Sequence, residues 1–304
     1  MKICSIPQIA DLGLGRVVDA YRKHMPKYGI EYTDDVHAAD LLVCHAGSYS
    51  KDRQTDVHHC HGLYPTAVDV RKSYFDMNAD VIENVRQALT VTTPSDWVAQ
   101  LFRRDMLIEP VVMGHGIDVK EWFVFADGYD RNDTVLWAKG TDAGVSNPAV
   151  VSMLANMLPE RNFVSTFVNS GGLSNVRKIG VQRYDAMCKV LATSGVYLAT
   201  TKETFGIQTL EALACGVPVV GYRWGATPDI VTHGLDGYLA APGDLDDLAN
   251  GIEWVFANME QLSANAKEAV VKYDWDIVCG HMADLYVDTL LRKRYQHDID
   301  VSVI

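Results

Sequence analysis

The stretch from Val196 to Val220 constrains the fold of this chain more than any other. An apolar run, Val196-Tyr197-Leu198-Ala199, leads through the polar turn Thr200-Thr201-Lys202-Glu203-Thr204 to Phe205-Gly206. A helix-forming segment, Ile207 to Ala214, follows, and the apolar run Val217-Pro218-Val219-Val220 closes the unit. The pattern predicts a buried strand, a tight turn, a helix and a second buried strand. At Gly206 the missing Cβ lets backbone approach a ligand closely. The amides of Phe205, Gly206 and Ile207 at the helix start then suit an anion, helped by the helix dipole. Glu203 and Glu211, with seven residues between them, bracket that site. One carboxylate sits on the turn and the other about two turns into the helix, far enough apart to hold two hydroxylated parts of one ligand, such as a sugar and a ribose.

Similar alternation runs through the whole chain. Lys2-Ile3-Cys4-Ser5-Ile6, Asp40 to His45, the run ending at His61-Gly62, Thr90 to Thr93 and Val111-Val112-Met113 read as strands. Helices are expected from Gly13, from Ala79 to Leu89, and after Ser95 as N-cap. Strands restart at Thr134-Val135-Leu136-Trp137 and recur at Phe163 to Phe167, Val196 to Ala199 and Val217 to Gly221. Strands separated by helices imply parallel, doubly wound sheets. At 304 residues, two domains are expected. The polar stretch Ala126 to Asp133 is the linker candidate. The expected division is 1–126, 133–274, and a C-terminal helix over 275–304 with apolar residues Ile277, Met282, Leu285, Tyr286 and Leu290 at helical spacing. Two such domains would place a ligand cleft between the carboxyl ends of their sheets.

Composition narrows the partners. With 27 Lys and Arg against 39 Asp and Glu, the formal charge is −12. Nucleic acid and anionic lipid both draw on clustered cations, so neither is expected. Arg103-Arg104 and Arg292-Lys293-Arg294 read as solvated helix faces. No apolar run has the length of a membrane span, and Met1-Lys2-Ile3-Cys4 enters a strand without a signal-peptide pattern, so a soluble, cytoplasmic protein is expected. The six cysteines lie in apolar contexts with no C-x-x-C pair, which predicts buried reduced thiols.

The segment around Glu203 and Glu211 resembles the E-x7-E signature of GT-B glycosyltransferases, specifically the retaining family 4 (group 1) enzymes. Gly225, Pro228-Asp229-Ile230-Val231, His233-Gly234-Leu235-Asp236-Gly237-Tyr238-Leu239 and Ala241-Pro242-Gly243-Asp244 follow in the order that family shows. The resemblance covers nearly the whole chain, strongly from about Ser165 to Trp254. It implies two doubly wound, Rossmann-like domains facing a central cleft, with the last helix crossing back to the first domain. It also implies metal-independent transfer of a hexose, with retention, from a nucleoside diphosphate-sugar to a hydroxyl. UDP is placed ahead of GDP as the donor's nucleotide, no cofactor or metal is expected, and the scarcity of clustered cations favours a soluble sugar, small-molecule or protein acceptor over a membrane lipid.

The resemblance also assigns residues. Glu211 is to hold the ribose diol, a task suited to a carboxylate that accepts two hydrogen bonds. Glu203 is to contact the donor sugar, while Thr204, Phe205, Gly206 and Ile207 meet sugar and phosphates. Gly13-Leu14-Gly15-Arg16 matches the family's glycine-rich loop after the first strand, with Gly13 and Gly15 giving close approach and Arg16 a charge. Lys139, in Ala138-Lys139, stands where the family has Gly-Arg and is the cation for the leaving diphosphate. Its usual lysine partner is missing from Gly144, Val145, Ser146, Asn147 and Pro148. Arg16, Arg177 or backbone amides are the substitutes considered. His61, in His-Gly-Leu-Tyr-Pro, matches the histidine that faces the donor sugar, so the catalytic set is His61, Lys139 and Glu203. His115 replaces the family's common Asn. The run His58-His59-Cys60-His61 suggests a metal, but alternate residues of a strand point to opposite faces, so three ligands converge poorly. Two other activities remain open: a non-catalytic nucleotide-sugar-binding protein, since half the cationic pair is absent, and an epimerase or phosphorylase of the same fold. A transferase acting on nucleic-acid bases is disfavoured by the charge.

Overall fold

The computed structural model describes residues 1–7, 12–48, 50–63, 72–139, 146–167 and 172–302, with only the backbone at Leu12, Ser73, Tyr74 and 297–302. Two compact units divide the chain, one of Met1–Gly116 with Trp275–Ile304 and one of Ile117–Asp274.

The first unit holds β1 (Lys2–Ile6), α1 (Leu12–His24), β2 (Glu31–Tyr32), β3 (Leu41–His45), β4 (Val57–His59), α2 (Lys72–Gln87), β5 (Thr90–Thr93), α3 (Asp96–Met106) and β6 (Val111–Val112). Its strands pair in parallel in the order β2-β1-β3-β4-β5-β6. Every residue of β3, β4 and β5 is buried, as in a sheet covered on both faces. The sheet order reverses between β1 and β3, and β3 ends there on His45. Ser95 caps α3 by accepting from the amide of Val98 at 3.3 Å.

The second unit holds α4 (Val119–Ala126), β7 (Thr134–Trp137), α5 (Ala149–Met157), β8 (Asn162–Ser165), β9 (Val176–Lys178), α6 (Tyr184–Thr193), β10 (Val196–Ala199), α7 (Ile207–Ala214), β11 (Val219–Tyr222), α8 (Thr227–Ile230), β12 (Gly237–Ala240), α9 (Leu245–Ala257) and α10 (Met259–Ala269). Its parallel sheet runs β12-β11-β10-β7-β8-β9. Counted from β7, this is the dinucleotide-binding order, in which the chain switches direction between the first and fourth strands. That switch lies between β7 and β10, which are bonded through Val196 beside Val135 and Tyr197 beside Leu136. The core of this unit joins Leu136, Tyr197, Leu210, Leu213 and Val219 on one face and Trp137, Phe163, Leu198 and Ile252 on the other.

The last helix, α11 (Trp275–Ser302), belongs to the first unit. Trp275, Val278, Cys279, Met282, Ala283 and Tyr286 are buried along one stripe, and Trp275 meets Tyr21 of α1 edge-on at 5.6 Å between centroids. Polar anchors follow the stripe. Thr289 shares a hydrogen bond of 2.6 Å with Thr90, and Lys293 donates at 2.9 Å to the buried Asp56. Lys293 is therefore a tether and not part of a freely solvated basic face, whereas Arg103 and Arg104 pair with neighbouring carboxylates on the surface as expected.

The expected boundary near 126 needs correction. Val119, Trp122 and Ala126 are buried in the core of the second unit, and the stretch that follows is tied there too. Arg131 donates to the carbonyl of Gly216 and to Ser263 Oγ, and the amide of Asn132 donates to Thr193 at 2.8 Å. The polar run 126–133 is thus an internal turn, and the chain passes between units at Gly116–Ile117 and Asp274–Trp275. All six cysteines are free and buried.

Candidate active site

At the switch point of the second sheet, two loops leave adjacent strands. Lys139 lies two residues beyond β7, and Thr200 to Gly206 lead from β10 into α7. In open α/β sheets the ligand crevice forms at this place, where consecutive loops diverge to opposite sides. Lys139 is fixed by its backbone, whose amide donates to Thr166 Oγ1 at 3.0 Å and whose carbonyl accepts from the same hydroxyl. Its Nζ forms an ion pair with Glu203 and donates to Tyr197 OH at 3.4 Å, and Tyr197 in turn donates to Gln208 Oε1 at 3.1 Å. Burial opposes the charge on Lys139, but Glu203 and Tyr197 more than offset it and hold the ammonium's pKa above the ordinary lysine value.

The loop carrying Glu203 is pinned by backbone. Its amide donates to Thr201 and its carbonyl accepts from Ala226 at 3.0 Å. Gly225 lies against it at a positive φ of 56°, and a Cβ there would come within 2.8 Å of the Glu203 carbonyl. Phe205 is buried against Tyr273, so the loop hangs from an aromatic anchor while Glu203 and Thr204 stay partly exposed. Gly206 turns the chain into α7 at φ 98°, a left-handed geometry that L side chains rarely adopt. The amide of Thr209 is satisfied by the Gly206 carbonyl at 2.9 Å, whereas those of Ile207 and Gln208 have no acceptor within the helix. Glu211, only 4% exposed, accepts from Tyr184 OH at 3.0 Å through Oε1. Glu203, Thr204, Phe205, Gly206, Ile207, Glu211 and Lys139 are therefore gathered at one sheet edge of one unit.

The remaining candidates belong to the first unit. Gly13, Gly15 and Arg16 fall inside the opening turns of α1, which begins at Leu12, and not in a loop ahead of it. A Cβ at Gly13 would meet nothing within 4 Å among the described residues. Arg16 is exposed. Among the substitutes for the missing cation, Arg177 lies on the edge strand β9, two strands from β7, and residues 144 and 145 lie outside the described residues.

His61 follows β4 and is half-buried. His45 Nδ1 lies 3.3 Å from its Nε2, and the rings of His45 and His115 stack on it at 5.6 and 5.1 Å between centroids. Burial lowers the His61 pKa from 6.5 to about 4. His59 behaves as a core residue, with Nδ1 within 2.6 Å of Thr92 Oγ1 and Nε2 within 2.7 Å of Tyr286 OH. The fully buried His58 faces the other way, and among the described residues no group of three His, Cys, Asp or Glu is placed to hold a metal.

Tyr184, Tyr197, Gln208 and His45 were not singled out in the sequence. Tyr197 and His45 look like ordinary strand residues, and only the lateral pairing of β10 with β7 and β3 with β4 reveals their partners.

The chain has counterparts among known proteins. Residues 159–271 match the family model for group 1 glycosyl transferases. The match supports a group 1 glycosyltransferase. N-acetyl-alpha-D-glucosaminyl L-malate synthase of Bacillus anthracis is 31% identical over 119 residues, which cover 38% of this chain and 31% of that enzyme. Phosphatidyl-myo-inositol mannosyltransferase of Mycobacterium leprae is 31% identical over 123 residues, or 38% of this chain and 33% of the relative. The matched stretch thus spans about a third of these curated relatives. Among solved structures, HepE of Anabaena in complex with UDP and glucose has a TM-score of 0.69 at 15% identity, covering 95% of this chain and 100% of that one. A glycosyltransferase of Rickettsia africae has a TM-score of 0.68 at 13% identity, covering 95% and 98%. The fold is GT-B. Among the described residues no helix is long and apolar enough to cross a membrane.

Proposed function

We propose that this protein is a retaining glycosyltransferase that moves a hexose from a nucleoside diphosphate-sugar, UDP ahead of GDP, to the hydroxyl of a soluble sugar, small-molecule or protein acceptor. The observation that carries this is the set of groups at the β7/β10 switch point. A buried ammonium, two carboxylates and a helix start entered through a left-handed glycine lie together there. Each suits one part of the donor. Glu211 accepts from the ribose hydroxyls, and Tyr184 is its partner when the diol is absent. The amides at the start of α7 and the ammonium of Lys139 meet the diphosphate, where cleavage of the sugar–phosphate bond builds negative charge. Lys139 serves there without a metal. Glu203 turns from Lys139 to the sugar hydroxyls when phosphate takes its place. UDP is favoured because the solved HepE structures contain UDP, UDP-glucose, or UDP and glucose.

Transfer takes place on the face from which the diphosphate departs. The leaving phosphate oxygen accepts the proton of the attacking hydroxyl, so the anomeric configuration is kept. Incubation with UDP-glucose and UDP-N-acetylglucosamine, each with a panel of hydroxyl acceptors, followed by proton NMR of the products, tests this. An α-linked product from an α-linked donor is expected. A β-linked product would overturn retention, interconversion of the donor without acceptor would point to an epimerase, and tight binding without turnover would point to a binding protein.

A further inference from the structure

Four imidazoles of the first unit form a continuous row. His59 packs on His45 at 4.7 Å between centroids, His45 on His61 at 5.6 Å with planes 27° apart, and His61 on His115 at 5.1 Å with planes 23° apart. One end of the row is closed by the contacts of His59 with Thr92 and Tyr286. Its middle lies at the carboxyl edge of the sheet, where His45 ends β3 beside the reversal of strand order between β1 and β3. A doubly wound sheet of this order opens its ligand crevice at that point.

Within the row one contact has chemical consequences. At 3.3 Å, His45 Nδ1 and His61 Nε2 can share one proton, and a neutral ring carries only one N–H. Burial, reinforced for His45 and His115 by neighbouring imidazoles, lowers the pKa of all three rings and keeps them neutral at pH 7. With the His61 pKa lowered to about 4, this neutral pair is only a weak base. It passes on a choice of tautomer: a proton held on His45 Nδ1 makes His61 Nε2 the acceptor and leaves the His61 proton on Nδ1. We infer that His45 is the positioning residue of His61, holding its ring in the stack and fixing its proton on Nδ1, so that His61 offers an N–H donor to an oxygen of the substrate. This deepens the transferase proposal and rests on it for the oxygen concerned. A donor is what a reaction that builds negative charge on oxygen requires.

The tautomer can be read without substrate, so failure of this inference and failure of the transferase proposal are separable. Protein labelled with 15N-histidine is examined by long-range 1H–15N correlation at pH 7, with His61 identified by its loss in His61→Phe. The expected result is one tautomer for His61, protonated at Nδ1. His45→Phe keeps a flat ring in the stack but removes the donor, so His61 should become a mixture of tautomers. His45→Gln, whose amide can still donate to Nε2, should restore the single form. In parallel, kcat should fall about 10- to 100-fold in His45→Phe and recover largely in His45→Gln, with donor KM unchanged. An unprotonated Nδ1 in the wild type, or the same tautomer in all three proteins, would overturn the inference. Should His45→Phe fail to fold, the wild-type tautomer still decides it.

Discussion

Lys139 and Glu203 neutralise one another across the β7/β10 switch, and under the proposed function this pair sets the terms on which a donor binds. A diphosphate bound as proposed competes with Glu203 for the ammonium, so part of its binding energy goes into separating the pair. Glu203→Gln removes that competition. The unliganded variant should lose about 1–3 kcal/mol of stability, because a buried ammonium is left with a weaker partner. UDP should then raise its melting midpoint by more than it raises that of the wild type, while sugar transfer falls. Thermal denaturation with and without UDP measures both effects. Equal UDP shifts in the two proteins would mean that Lys139 does not meet the diphosphate. Glu203, Gly206 and Glu211 were legible in the sequence because their spacing around a turn and helix is local. Tyr184, which donates to Glu211 from the start of α6, was not, because it lies 27 positions from its partner in the sequence.

Legibility among the elements follows the same division. The long apolar strands, β3, β7, β10 and β11, were evident because strands covered on both faces are continuous apolar runs. β2, β9 and β12 were missed, while the short and exposed β6 was read at Val111-Val112-Met113. β2 has two residues and β9 exposes two of its three, so neither carries a periodic signal. The turn after α4 was misread as a linker because its polar residues bond to backbone brought near only by folding. The first sheet also predicts a pH response. His45, His58, His59, His61 and His115 are all held below the ordinary value of 6.5, His61 to about 4 and His58 to about 3, by burial and by one another. The unfolded chain binds more protons than the folded one below pH 6.5, so this contribution to stability is complete above that pH and is lost as pH falls toward 4 and 3. His58 and His61 each contribute on the order of a few kcal/mol to the decline. Denaturant melts at steps from pH 7.5 to pH 4 should show a steep loss of stability that flattens in His58→Phe. A flat profile would mean that the rings take up protons as readily in the folded protein as in the unfolded chain.

At the scale of the whole molecule, two parallel sheets with different strand orders each open at a reversal point, and different chemistry lies at each. The first has neutral imidazoles at the end of β3 and beyond β4, suited to uncharged hydroxyls. The second has an ammonium, amides and carboxylates, suited to a diphosphate joined to a ribose. The 159–271 match to group 1 glycosyl transferases covers much of the second set, including Glu203 and Glu211. The proposed function requires Glu211 and Lys139 to bind a nucleoside diphosphate through ribose and phosphate without a metal. Calorimetric titration of UDP into the wild type, Glu211→Ala and Lys139→Ala, in buffer containing a chelator, tests it most directly. Saturable binding by the wild type is predicted, weakened about 10- to 100-fold in each variant, since each leaves about 1–3 kcal/mol of hydrogen bonding or charge unmet. Equal affinity in all three proteins, or no wild-type binding until a divalent cation is added, would contradict it.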